Sequence, residues 1–290
     1  MAWRFFQKQR QLQQWWQVMS RPSLARNRWL FFVTTFLSGM IFIIPIWVLF
    51  ERRILTLGQM ALLEAAATGV TLVLELPTGA LADLWGRKTI AGLGLILQGV
   101  GNIISGFANE PVQFIAGFAI SCVGVALWSG ASDALLYDSL KELRQETQFA
   151  KVSSTNSMMF QVGIVVASLL GGYLYTVDIF WPYLLYGLAL VLAGLGYFAM
   201  IEPSIDSQVF TLKNYLRQTV AGVKELSRTD SAFKVSIFYI LVGGITWSAQ
   251  VFFNQNYAVE LQFTPVQVGW LFGLTRIINS ILIWRLAHSQ

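Results

Sequence analysis

What most constrains this chain is a succession of apolar runs, each near the ~20 residues that a helix needs to cross ~30 Å of hydrocarbon. Eight are countable, approximately at 29–50, 59–79, 89–108, 111–134, 154–175, 180–201, 233–254 and 265–284. With 55% hydrophobic and 12% charged residues, against about 25% charge in soluble domains, the chain has too little polar surface to hide these runs in one wet-coated core. Lipid must take the excess. Backbone polar groups in lipid have to be satisfied internally, and runs of this length do so as helices. The expected fold class is therefore all-α, a polytopic transmembrane helix bundle. Three intervening loops are so short that the helices they join must be antiparallel.

Lys and Arg alternate between the two sides of such a bundle. One side holds Arg4, Lys8, Arg10, Arg21, Arg26 and Arg28, then Arg87 and Lys88, then Lys141, Arg144 and Lys151. Lys213, Arg217, Lys224, Arg228, Lys234 and Arg285 complete it, making seventeen of twenty. The other side has Arg52 and Arg53, and Arg276 lies inside a run. The positive-inside rule then puts both termini in the cytoplasm of a multi-pass protein of the cell (inner or plasma) membrane. This placement also accounts for the net charge of +5 without nucleic acid as a partner.

Four segments follow. Residues 1–28 form a basic arm in which Leu12, Trp15, Trp16 and Met19 recur at helical spacing, as in a helix lying on the membrane interface; a disordered arm is the alternative. Residues 29–201 hold six spans. Residues 202–232 read as a cytoplasmic amphipathic linker, with Leu212, Tyr215, Leu216, Val220 and Val223 on one face and Lys213, Arg217, Lys224 and Arg228 on another. Residues 233–290 hold two more spans. The first run is too long for a cleavable signal and lacks a small-residue cleavage site.

The turn after the second run reads Gly79-Ala-Leu-Ala-Asp-Leu-Trp-Gly-Arg-Lys88. It resembles the signature loop of the major facilitator superfamily, G-x-L-A-D-R-x-G-R-K, with Gly79, Leu81, Ala82, Asp83, Gly86, Arg87 and Lys88 in register and Leu84 in place of Arg. The resemblance implies the major facilitator fold, here a complete six-helix N-terminal half plus the first two helices of the C-terminal half, and a gating role for this loop. In the fifth run, Gly163, Ala167, Gly171 and Gly172 resemble the antiporter signature G-x-x-x-G-P-x-x-G-G with Ala167-Ser168 replacing the central Gly-Pro. Small residues at this spacing also serve simple close packing. The arginine that many proton-coupled members carry in the fourth span is absent from 113–129. Four further spans are expected of a whole member of the family, so the chain reads as a fragment, or as a short form that needs a missing half or a second chain.

Charges at bilayer depth are costly and therefore candidates for function. Glu64 and Glu75 lie eleven residues apart on one face of the second run, and Arg276 is central to the eighth. Glu64, Glu75, Asp133, Gln161, Gln250 and Arg276 are the candidate contacts for solute or coupling ion. Asp133 and Asp138 are also placed to pair with Arg87 or Lys88, Asn156 is a further polar candidate, and polar packing between helices is the competing role throughout. The lone Cys122 and lone His288 exclude a disulfide framework, a Cys/His zinc site and a His-dependent triad. No enzyme chemistry, metal or cofactor is expected, and no G-x-x-x-x-G-K-[ST] loop exists to bind nucleotide. The expectation is a secondary transporter that moves a small solute by alternating access, most simply as ion-coupled efflux driven by H+ or Na+. A metabolite importer of the same fold and a transport-inactive short form are the alternatives.

Overall fold

The computed structural model describes residues 22–204, 217, 233–235, 237, 238, 241, 242 and 254–288; of these, the side chains at 22, 23, 72, 75, 76, 80, 254 and 279–288 are outside the description. The interfacial helix of the arm, the amphipathic linker, Gln250 and the Glu75 side chain therefore lie outside the described residues.

Among those residues no strand occurs, and the chain is a series of helices. They are α1 (Pro22–Ser38), α2 (Trp47–Glu51), α3 (Leu57–Trp85), α4 (Arg87–Gly106), α5 (Pro111–Glu142), α6 (Phe149–Val177), α7 (Trp181–Phe198), α8 (Asn254–Glu260) and α9 (Pro265–His288). A single 3₁₀ turn, Glu146–Gln148, leads into α6. Four stretches, Arg87–Gly106, Pro111–Glu142, Glu146–Val177 and Trp181–Phe198, are each long and apolar enough to cross a membrane. α3 has 29 residues, about 43 Å of helix at ~1.5 Å per residue.

Local chemistry explains the starts. Thr56 and Gln59 form a capping box at α3: the Gln59 amide donates to Thr56 Oγ1 at 3.3 Å, and the Thr56 amide donates to Gln59 Oε1 at 2.9 Å. Thr264 and Gln267 repeat this box at α9 with distances of 3.3 and 2.9 Å. α3 and α9 thus begin with the same T-x-x-Q device. Pro111 sits in the first turn of α5, where its missing N–H leaves no bond broken.

The packing centres on α4, which lies against both α5 and α7. α1 packs on α6 and α7, α3 on α5, and α9 on α6. One buried cluster, including Phe31, Ile90, Leu135, Leu190 and Tyr197, fills the end of the bundle near Arg87. A second, including Ile46, Phe50, Met60, Phe114 and Tyr183, fills the opposite end. On α7 the buried face carries Leu190, Ala193 and Tyr197, while Leu188, Leu192 and Leu195 are exposed on the other. A helix apolar on both faces has lipid as its outer solvent.

The first span departs from the expected continuous helix over 29–50. α1 begins earlier, at Pro22, stops at Ser38 and gives way to turns until α2. Hydropathy does not register such a break, because the residues inside it, Ile41, Phe42, Ile43 and Ile44, are as apolar as a helix would be. Short-range bonds hold it, among them Ile41 N to Gly39 O at 2.7 Å and Ile44 N to Ile41 O at 3.0 Å. Gln255 of α8 supplies the rest. Its Nε2 donates to Ile44 O, and its Oε1 accepts from Val48 N at 3.4 Å. Irregular backbone inside a membrane bundle persists where neighbouring side chains satisfy it, and Gln255 is buried at 3% exposure.

Candidate functional site

The signature turn is shorter than a loop: α3 ends at Trp85, Gly86 turns the chain alone, and Arg87 starts α4. Gly86 has φ 89°, a left-handed conformation that side chains resist. A Cβ there would also come within 3.2 Å of the Glu202 carboxylate. Arg87 Nη1 donates to Asp138 Oδ2, and Arg87 Nη2 lies 3.6 Å from Asp83 Oδ1, so α3, α4 and α5 share one charged node. This is the expected partnership of Asp138 with Arg87. Asp133, its neighbour in the sequence motif, is exposed instead.

Glu202, read from sequence only as the first linker residue, caps α4 from outside. Its Oε1 accepts from the Arg87 amide at 2.6 Å and its Oε2 from the Lys88 amide at 3.0 Å. The first N–H groups of a helix lack partners within it, and Gly86 has no side chain to provide one. Adjacent bonds hold residues 199–204 on the same end. Arg26 donates to Ala199 O at 2.7 Å, Asn27 brackets Ile201 through O and N at 2.8 and 2.9 Å, and Lys88 Nζ donates to Met200 O at 3.0 Å. Glu142 accepts from Ser204 N at 2.6 Å. The end of α7 is thereby tied to α1, α4 and α5.

Between the two apolar clusters lies a cavity of about 520 Å³. The broken first span contributes Ile41, Ile43, Trp47 and Glu51, and α3 contributes Glu64, Ala67, Thr68 and Thr71. α4 adds Gln98, Asn102 and Ser105; α5 adds Phe114, Phe118, Ser121, Cys122 and Val125; α7 adds Tyr183 and Tyr186. The wall amides are held in place: Gln98 Nε2 donates to Tyr186 Oη at 3.3 Å, and Asn102 Nδ2 donates to Gln98 O at 2.8 Å and Ser121 Oγ at 3.0 Å. Glu51 is 4% exposed, and its carboxylate has no hydrogen-bond or ion-pair partner among the described residues. It is close enough to Glu64 for their charges to repel. Of the sequence candidates whose side chains are described, Glu64 alone reaches this cavity. Glu51 carries no signal in the sequence, because it follows an apolar run and precedes Arg52 and Arg53, the pattern of an ordinary loop start.

Gln161 and Arg276 meet elsewhere, on the seam between α6 and α9, where Arg276 Nη1 donates to Gln161 Oε1 at 3.2 Å. The small residues of α6 form that seam and its continuation. An added Cβ at Gly163 would lie 2.5 Å from Phe36 O, at Gly171 2.1 Å from Phe42 O, and at Gly172 2.1 Å from Pro265 O. Ala167 is fully buried in the same row. α6 therefore touches the first span and α9 backbone to backbone, as small-residue faces do in lipid. Asn156 Oδ1, also on α6, is buried without a hydrogen-bond partner.

Comparison with known proteins gives a consistent answer. The chain is 25% identical over 252 residues to the MFS-type transporter YxaM of Bacillus subtilis (strain 168), covering 82% of this chain and 60% of that protein. It is 22% identical over 270 residues to the MFS-type transporter MJ1560 of Methanocaldococcus jannaschii, covering 89% and 67%. To the multidrug resistance protein MdtH of Enterobacter sp. (strain 638) it is 25% identical over 279 residues, covering 93% and 66%. The chain thus spans roughly 60 to 67% of the length of these relatives. No solved structure matches it significantly. The family profile described as Major Facilitator Superfamily matches residues 29–289, nearly the whole chain, and the chain belongs to that superfamily.

Proposed function

We propose that this chain works as a secondary active transporter, moving a small solute outward across the cell membrane by alternating access and drawing on an ion gradient. The observation that carries the reading is the cavity holding Glu51 and Glu64, walled by α2, α3, α4, α5 and α7, helices that in this reading come from both three-helix repeats of one six-helix half. Repeat interfaces are where carriers of this architecture bind their cargo, and its volume falls within the ~300–1,000 Å³ of ligand pockets. The MdtH relative's name, a multidrug resistance protein, favours efflux of a small molecule. The alternation of Lys and Arg favours an orientation with the Arg87 end in the cytoplasm.

In this reading the Gly86 turn, the Asp83–Arg87–Asp138 node and the Glu202 cap act together as the cytoplasmic latch. The α6 seam with α9 is the surface on which the halves rock. The test is accumulation of fluorescent dyes in an efflux-deficient bacterium expressing the chain. The expected result is lowered accumulation, abolished by an ionophore that collapses the ion gradient and by Glu64→Gln. Unchanged accumulation across a chemically varied dye set, or export that persists without any ion gradient, overturns the proposal.

A further inference from the structure

Taking the cavity as the solute site, as proposed above, we infer that its solute is a lipophilic organic cation held between the Glu51 and Glu64 carboxylates and the aromatic wall.

Three observations converge. The first is charge: among the described residues the lining holds two carboxylates and neither Lys, Arg nor His. An unpaired carboxylate inside a membrane bundle is costly, and a positively charged occupant removes that cost where a neutral or anionic one does not. The nearest basic residues look elsewhere. Arg53 stacks its guanidinium over the Phe50 ring at 5.3 Å, and Arg52 is exposed. The second is Glu51 itself, buried, without a partner among the described residues, and facing the cavity. Buried charges are ordinarily paired, so this one has a place ready for its counter-charge.

The third is the surface of the wall. Trp47, Phe114, Phe118, Tyr183 and Tyr186 line the same space, and aromatic faces within ~6 Å of a cation attract it, most strongly when water is excluded. A bare metal ion needs a shell of close oxygen, nitrogen or sulfur ligands, and the described residues contain no group of three or more His, Cys, Asp or Glu that could hold one. Thr68 and Asn102 spend their hydrogen atoms on Glu64 O, Gln98 O and Ser121 Oγ. A phosphate or carboxylate solute would meet two like charges and few free donors.

The single cysteine makes the inference testable without any transport measurement, because Cys122 lines the cavity. Purified chain is treated with a small maleimide, and the alkylation rate of Cys122 is followed by mass spectrometry. Tetraphenylphosphonium, tetraphenylborate and triphenylmethane serve as cationic, anionic and neutral probes of one shape class. The expected result is at least fivefold slowing by the phosphonium alone. Glu51→Gln should remove the protection, Glu64→Gln should reduce it, and Glu51→Asp should keep it, which separates loss of charge from loss of fold. If the borate or the hydrocarbon protects as well, or Glu51→Gln leaves phosphonium protection intact, the cationic class is wrong while the cavity stands as the solute site. If no probe alters the rate in chain that melts cooperatively, the cavity is not a solute site and both readings fall.

Discussion

Removing the Glu202 carboxylate tests how the end of the bundle near Arg87 is held. α4 opens with two cations, Arg87 and Lys88, has no acidic residue in its first turn, and has no side-chain cap. Cations at a helix N-terminus oppose the macrodipole, so Glu202 corrects both an electrostatic and a hydrogen-bonding deficit. Its two bonds, at 2.6 and 3.0 Å, have a charged acceptor and are partly buried. Such bonds are worth about 1.5–3 kcal/mol each, and the lower end applies where water can reach the freed amides. Glu202→Ala should therefore cost about 3 kcal/mol, while Glu202→Gln, which keeps one carbonyl acceptor, should cost about half of that. At ~2–4 °C per kcal/mol for a chain of roughly this size, the alanine variant should melt about 6–12 °C lower in detergent, with the glutamine variant between it and the parent. Melting points for both variants within about 1 °C of the parent would refute the capping argument, as would equal losses for Gln and Ala, since capping depends on the acceptor count.

Three further outcomes follow from single contacts. Gln255→Leu leaves Ile44 O and Val48 N without their side-chain partner, and at about 1–3 kcal/mol per stranded buried group it should lower the melting point and expose a cysteine placed at Val48 to a membrane-impermeant thiol reagent. Gly171→Ala should be destabilising by about 1–3 kcal/mol because its Cβ would sit 2.1 Å from Phe42 O, whereas Ser168→Ala, three residues away, should be neutral or stabilising because Ser168 Oγ is fully buried without a hydrogen-bond partner; melting curves of the two variants should therefore move apart. A double-mutant cycle on Gln161→Ala and Arg276→Ala should return a coupling of about 0.6 kcal/mol, the size common for polar contacts between membrane helices, and additivity would remove the pair as an interhelical tie.

The legible parts of the sequence are those in which one residue type, or one period, forces one geometry. Apolar runs of the right length located α4, α5, α6 and α7, and Gly86 between two such runs marked a turn that needs a left-handed residue. Asp138 and Arg87, both near the predicted end of the bundle, did meet. Gly163 and Gly171 of the fifth run lie against the backbone of the first span, and Gly172 against that of Pro265. What stayed hidden lies where hydropathy has no contrast. The break at 39–46 holds four isoleucines and a phenylalanine, so its irregular backbone leaves no mark on an apolarity profile, and only the helix breakers Gly39 and Pro45 signal it. Glu51, Glu202 and Gln255 each stand at the edge of an apolar run, where a polar residue is expected anyway. Their roles depend on partners far along the chain: Glu202 and Gln255 act on residues at least 114 and 207 positions away.

Those edge residues share a physical logic. In a bundle surrounded by lipid, helix faces can slide with little loss, because lipid tails replace apolar side chains at almost no cost. Position along the sliding direction must then be set by polar contacts, and they are found at three levels: Glu202 and Arg87 at one end, Gln161 and Arg276 along the α6–α9 seam, and Gln255 against Ile44 and Val48 at the other end. Between them run the glycine contacts of α6, close enough that no side chain blocks a small displacement. The alternating access proposed above would use these glycine contacts as its surface and the polar contacts as its stops. The same arrangement explains why an apolarity profile finds the helices readily and the stops hardly at all.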